Sequence, residues 1–253
     1  MAYKTLILER QEGVGIITLN RPKQLNALNS TLTVELDQAL SYFESEDDVK
    51  AIIITGAGDR AFSAGGDIHE MSKQSQARPR QRGPSRVDQN WHLATCKKPI
   101  IGAINGLAYG GAALMASTFD IRIGCERTGF RFLGVVYGRV NSTWTLPLIV
   151  GWPIAKELLF TGRIVEAEEA LRIGLLNKLV PSSELMKAAI DMGQAIAENN
   201  PVSVQGIKEI LTKNIGMSWR KMLLDEARAV SQSLKPPPAA ESFRDFLERK
   251  RSK

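Results

Sequence analysis

The sequence predicts an α/β protein with a largely parallel sheet, followed by a helical C-terminal region. Three observations predict it. Short, continuously apolar runs, Val49 to Thr55 (VKAIIIT) and 99–105 (PIIGAIN), read as strands buried on both faces. Helical and small-residue segments alternate with these runs, which is the order of a parallel sheet with crossover connections. From Ser182 onward strand signals stop, and only helical periodicity remains, broken at Pro201 and at Pro236 to Pro238.

Taken in order, 3–9 and 14–19 read as a β-hairpin turning at Glu12 and Gly13. The loop NRPKQLNALN leads into a helix over about 30–46, where Leu32, Leu36, Leu40 and Phe43 share one face. After the strand at 49–55 come the loop GAGDRAFSAGGDI and a basic stretch at 72–90. A helix near 87–96, the PIIGAIN strand, the small-residue segment GLAYGGAALMAST and a strand at 120–124 follow. The last quarter carries helices at 183–199, 202–214, 218–234 and 240–251. Residues 1–190 are therefore expected to form the core and 191–253 a helical C-terminal region.

Composition narrows the class. With 253 residues, 43% hydrophobic and 24% charged, the chain belongs with ordinary globular proteins and not with disordered ones. Cys96 and Cys125 cannot build a disulfide framework, and no CxxC or HExxH pairing offers a metal site, so a reducing, cytoplasmic setting without metal is expected. The start, MAYKTLILERQEG, lacks an apolar signal core, and no run approaches the roughly 18–20 apolar residues of a membrane span. The net charge of +6 is local: 72–90 carry +4 and 234–253 carry +3, leaving −1 for the rest. Such a loop is either a solvated surface or a contact for a polyanion.

The glycines suggest chemistry. Gly65, Gly66 and Asp67 end a strand-loop segment, and Gly110 and Gly111 open a short helix after a strand. Backbone N–H groups at a helix start are free to donate, and two of them converging on one oxygen make an oxyanion hole. Taken alone, each glycine pair is more often a tight turn. GlyAlaGly at 56–58 and GLAYGG at 106–111 do not complete GxGxxG, which argues against a dinucleotide fold, and FSAGG is not GxSxG.

The order LNRPKQLNAL (19–28), AFSAGGDI (61–68), KKPIIGAINGLAYGGA (97–112) and TGRIVEAEEALRIGLLNKLVP (161–181) resembles the crotonase superfamily, the enoyl-CoA hydratase/isomerase family, from about residue 5 to the C-terminal helix. The resemblance implies a crotonase (ClpP/crotonase-like) spiral of repeated ββα units with a C-terminal helical trimerisation region, assembled as a homotrimer or dimer of trimers. It implies an acyl-CoA thioester as substrate, with no cofactor beyond the CoA that the substrate carries. By the same resemblance the N–H groups of Gly66 and Gly111 form the oxyanion hole. Arg21, Lys23 and Ala27 would lie against the CoA adenosine and phosphates, and Ser63, Ala64 and Ile68 would flank the adenine and pantetheine; Gly66 and Asp67 count among the CoA-binding residues, the aspartate mainly by holding its loop.

The resemblance stops at the acid–base groups. The hydratases of the family use two glutamates, one three residues after the second oxyanion glycine and one in a segment like FGQPE. Here those positions are Leu114 and, within FRFLG, Gly134. Neither carries a proton, so standard two-glutamate hydration is not supported. Candidate replacements are Tyr137, Asn141 and His92, although a lone histidine is more often structural. The expected function is an acyl-CoA enzyme with non-standard acid–base groups, a lyase or isomerase, or else a thioester hydrolase or decarboxylase. A catalytically silent acyl-CoA-binding subunit is the alternative. Nucleic-acid binding through Arg78, Arg80, Arg82 and Arg86 is the weaker reading, since that loop has no stacking aromatics.

Overall fold

The computed structural model describes residues 3–74 and 85–238. The helix expected at 240–251 and most of the basic stretch, Arg78, Arg80 and Arg82 included, lie outside the described residues. Strands β1 (Leu6–Gln11) and β2 (Val14–Leu19) form the antiparallel hairpin, with positive φ at both Glu12 and Gly13. Helix α1 (Ser30–Ser45) follows, its first turn closed by Asn29, whose side chain accepts from the Leu32 N–H at 2.9 Å.

Three units then repeat one pattern. Each sends a first strand to a large sheet and a second, three-residue strand to a small one before turning into helix. The pairs are β3 (Ala51–Gly56) with β4 (Ala61–Ser63), β5 (Ile100–Ile104) with β6 (Leu107–Tyr109), and β7 (Ile121–Gly124) with β8 (Gly129–Arg131). The helices are α2 (Ile68–Gln74) and α3 (Arg86–Thr95), then α4 (Gly111–Ala116), then α5 (Leu146–Val150) and α6 (Trp152–Thr161). Strand β9 (Ile164–Glu166), α7 (Ala167–Arg172), β10 (Lys178–Leu179) and α8 (Leu185–Ala197) complete the spiral. The large sheet runs β1-β2-β3-β5-β7-β10 and is parallel beyond the hairpin; the small one runs β4-β6-β8-β9, antiparallel only at its last pair. The sequence shows the large sheet and hides the small one, because three residues are too few to display an alternation.

Both faces of the large sheet are covered, as its apolar runs require. Alternate residues Ile17, Leu19, Ile52, Ile54, Ile100 and Ile104 join one core with Leu32, Leu36, Leu40 and Phe43 of α1. Their neighbours Val14, Ile16, Ile53, Ile101 and Ile123 join a second core with Leu185, Ala188 and Ala189 of α8. The chain divides into two compact units, Met1–Asn199 and Asn200–Lys253, so α8 belongs with the sheet, whereas the sequence drew its boundary at 190. The second unit holds α9 (Pro201–Lys213) and α10 (Trp219–Gln232), and within it the Leu234 side chain packs so closely on Gly206 that a Cβ there would stand 2.4 Å from Leu234 Cδ1.

Helix α3 starts with a capping box between Ser85 and Asp88 and is tied to α1 by His92. The imidazole meets Asp37 through Nδ1 at 2.7 Å and Glu44 through Nε2 at 2.9 Å. The hydrogen bond to Glu44, joined by the one to Asp37 and opposed by burial, raises the His92 pKa to about 9. Burial works against ionisation of Glu44, but the bonds from His92 and the Lys97 N–H bring its pKa down to about 2. A raised histidine pKa stabilises the fold fully below the unfolded value of about 6.5 and ceases to do so as pH rises through the folded value. His92→Gln is therefore expected to lower Tm by about 3–10 °C near neutral pH. Calorimetry across pH should show the gap between variant and wild type closing as pH passes about 9; a pH-independent gap would contradict the charged bridge.

Candidate functional site

One loop–strand register builds the centre of the site. Leu28 and Gly66 form a parallel bridge: the Leu28 N–H donates to the Gly65 carbonyl at 2.7 Å, and the Asp67 N–H donates to the Leu28 carbonyl at 3.1 Å. Extended backbone alternates sides, so the N–H of Gly66 itself faces away from Leu28. Opposite, the Gly110 N–H donates to the Arg131 carbonyl at 2.8 Å, and Gly111 begins α4, where first-turn N–H groups have no partner within the helix. A Cβ on Gly111 would lie 3.6 Å from the Gly66 nitrogen. The two amides thus border one small space.

Glycine is required beside it. Gly65 has φ +88°, and a Cβ there would stand 2.4 Å from the Tyr109 carbonyl oxygen. The approach loop is equally constrained. Buried Asn26 accepts from the Arg21 N–H at 3.0 Å and donates to the carbonyls of Ala57 and Ala61 at 3.0 and 2.9 Å, fixing 21–28 against the β3–β4 turn. The Arg21 guanidinium then bonds the Ala27 carbonyl and pairs with Asp67 at 3.0 Å. Burial pushes the Asp67 carboxyl up, but Arg21 and the Glu70 N–H hold it below the usual carboxylate range.

The amide pair opens into a cavity of ≈ 370 Å³. Its wall takes Thr33, Leu36, Asp37 and Leu40 from one face of α1, Ile68 and Met71 from α2, Arg86, Asn90 and Leu93 from α3, Leu114 and Met115 from α4, and Leu133, Gly134, Tyr137, Arg139 and Asn141 from the segment after β8. Gly66, Gly111, Ala64, Ile68, Tyr137 and Asn141, all singled out in the sequence, meet here. His92 does not: both its ring nitrogens face carboxylates, and at about pKa 9 it is already protonated near neutral pH and has no lone pair for a base. Arg21, Ala27 and Asp67 brace the loop, Ser63 is buried and accepts from the Gly65 N–H at 3.2 Å, and Lys23 projects from an exposed 3-10 turn at Pro22–Gln24.

The positions three residues after Gly111 and at 134 both reach the cavity, as Leu114 and Gly134. A Cβ on Gly134 would lie 2.8 Å from the Arg139 carbonyl and 2.9 Å from Asn141 Oδ1. The Asn141 carboxamide therefore fills the room a side chain at 134 would need. Sequence reasoning missed Thr33 and Asp37, although the spacing that exposed Leu36 and Leu40 puts them on the same helical face. It also missed Arg139, which sits in a turn with no periodicity.

Comparison with known proteins agrees with this architecture. The sequence model of the enoyl-CoA hydratase/isomerase family matches residues 9–253. The short-chain-enoyl-CoA hydratase of Clostridium acetobutylicum is 35% identical over 255 residues, 99% of this chain and 97% of that protein. The crotonyl-CoA hydratase of Syntrophomonas wolfei is 32% identical over 256 residues, 100% of this chain and 98% of the relative. The crystal structure of enoyl-CoA hydratase from Bacillus anthracis superposes with a TM-score of 0.87 at 28% identity, covering 97% of each chain. The fold is that of the crotonase superfamily. Within it, this chain belongs to the enoyl-CoA hydratase/isomerase family. Among the described residues no helix is long and apolar enough to cross a membrane, and no group of three or more His, Cys, Asp and Glu could hold a metal ion.

The contact at Gly65 sets a test. Gly65→Ala forces a side chain onto a carbonyl at positive φ, and denaturant unfolding should register a loss of about 2–4 kcal/mol. An unchanged midpoint would mean that the two turns do not approach as described.

Proposed function

We propose that the protein binds an acyl-CoA thioester with its carbonyl oxygen between the N–H groups of Gly66 and Gly111, and processes it through an enolate or related oxyanion. The observation that carries this is the convergence of the two amides at the mouth of a mainly apolar cavity, in a chain whose relatives are named as enoyl-CoA hydratases. Preorganised N–H donors in a site poor in water stabilise an oxyanion more than its ground-state carbonyl. Lys23, exposed on the approach loop, is the cation for the CoA phosphates; Arg21, held by Asp67, positions that loop. CoA enters with the substrate, and the chain needs no cofactor of its own.

The two family glutamates are absent in this reading, replaced by Leu114 and Gly134. Asn141 packs against position 134, and Tyr137 lines the same cavity. A carboxamide holds a water or an oxygen by hydrogen bonds but takes up no proton, and a phenol is a weak acid near neutral pH. The chemistry this favours is isomerisation, decarboxylation or thioester hydrolysis ahead of hydration. The second reading, a silent acyl-CoA-binding subunit, is favoured by the same leucine and glycine together with the engagement of His92. The protein would act in the reducing cytoplasm, in keeping with two buried cysteines, Cys96 and Cys125, that form no disulfide. It would assemble as a trimer or a dimer of trimers, in keeping with large exposed apolar side chains such as Trp152 and Phe160.

Gly111→Ala isolates the amide pair. Its methyl makes only ordinary contacts at 3.6 Å, with the Gly66 nitrogen and Leu28 Cδ1, yet it stands where the thioester oxygen would enter. Titration calorimetry is expected to show micromolar butyryl-CoA binding by the wild type, and a loss of about 10-fold or more in Gly111→Ala at unchanged Tm. No heat with any acyl-CoA ester would remove the reading. Crotonyl-CoA hydration should run at least about 10²-fold below that of a two-glutamate relative, the usual cost of losing general acid–base groups. Comparable turnover would mean that another group supplies the proton. Turnover in isomerisation, decarboxylation or thioester cleavage would in turn eliminate the silent-subunit alternative.

A further inference from the structure

Two guanidinium groups border the cavity without a carboxylate of their own. Arg86, the first residue of α3, and Arg139, in the segment after β8, both line it, and among the described residues neither forms an ion pair. Arg86 stands at the reacting end: its Nη1 lies 3.8 Å from where a Cβ on Gly66 would be. The acid in the same wall, Asp37, is taken up by His92 at 2.7 Å. Much of the remaining wall is apolar, formed by Leu36, Leu40, Leu93, Leu114 and Met115.

An apolar cavity with unpaired cations at its border complements a chain that is apolar in part and ends in an anion. The planar fork of a guanidinium matches a carboxylate in two parallel hydrogen bonds, and such charge-assisted bonds are stronger than neutral ones. The phosphates of the bound CoA cannot supply that anion. The whole pantetheine arm separates them from the thioester carbonyl, and Arg86 stands beside the amide that receives this carbonyl. Leucine and glycine at 114 and 134 also remove two negative charges that would repel an anionic acyl group. We propose that the acyl group carries a second carboxylate, making the substrate a dicarboxylic acid monothioester, and that Arg86, assisted by Arg139, selects it. The proposal rests on the acyl-CoA reading above.

Succinyl-CoA and butyryl-CoA match in chain length and differ in the terminal group, so their affinity ratio isolates the carboxylate. Calorimetry on the full chain is expected to show the wild type preferring succinyl-CoA by about tenfold or more at low salt, the strength of one charge-assisted contact. Added salt should narrow the preference, since the arginines are exposed. In Arg86→Gln the ratio should fall toward unity, and Arg86→Lys should recover part of it. Equal affinities in the wild type, or a preference that survives in the Arg86→Gln/Arg139→Gln double variant, would overturn the proposal while leaving the acyl-CoA reading intact. Absence of binding by both esters would instead sink that reading and the proposal together.

Discussion

The site depends on one close approach of backbone to backbone. The turn after β4 and the turn after β6 touch where Gly65 meets the Tyr109 carbonyl, with no room for a side chain between them. This contact sets the distance between the Gly66 and Gly111 amides. It exists because successive repeats send their second strands side by side into the small sheet, with Ala61 opposite Leu107 and Ser63 opposite Ala108. The large sheet supplies burial and rigidity; the small sheet converts that rigidity into the spacing of two N–H groups.

Around this centre the polar side chains separate into those that hold the scaffold and those that line the cavity. Asn26, Arg21, Asp67 and His92 are spent on loops and helices: Asn26 on two carbonyls, Arg21 on Asp67, and His92 on two carboxylates. Arg86, Arg139, Tyr137 and Asn141 edge the cavity. Burial and partnership, not residue type, draw that line. The histidine is the clearest instance, because two carboxylates hold it charged and so remove the basicity that made it attractive as a catalyst.

The sequence exposed the large sheet, α1 and the C-terminal helices because long apolar runs and clear helical periods leave a signal. It exposed the amide pair because glycines in a motif of fixed order leave one as well. The four strands of the small sheet escaped, each being three residues long. The fate of His92 escaped for another reason: Asp37 and Glu44 lie 55 and 48 residues away along the chain, and nothing local announces their company. The charge of the basic stretch was legible, but the position of Arg86 beside Gly66 required the fold. Arg139 and Asn141 lie in a turn whose geometry follows from neighbours, with the Arg139 N–H donating to the Gly134 carbonyl at 2.8 Å.

The packing of Asn141 against Gly134 also constrains how this cavity could change over evolution. Any side chain at 134 meets the Arg139 carbonyl as well as the carboxamide, so it must move backbone and not only a flexible group. A lone substitution there is penalised before it can contribute a proton-transfer group, and a lone loss of Asn141 leaves a gap with nothing to fill it. The two positions are coupled, and a carboxylate can enter at 134 only along with a rebuilt turn. Position 134 is thus held by the shape of the turn around it, and changes there come together with changes at 139 and 141 or not at all.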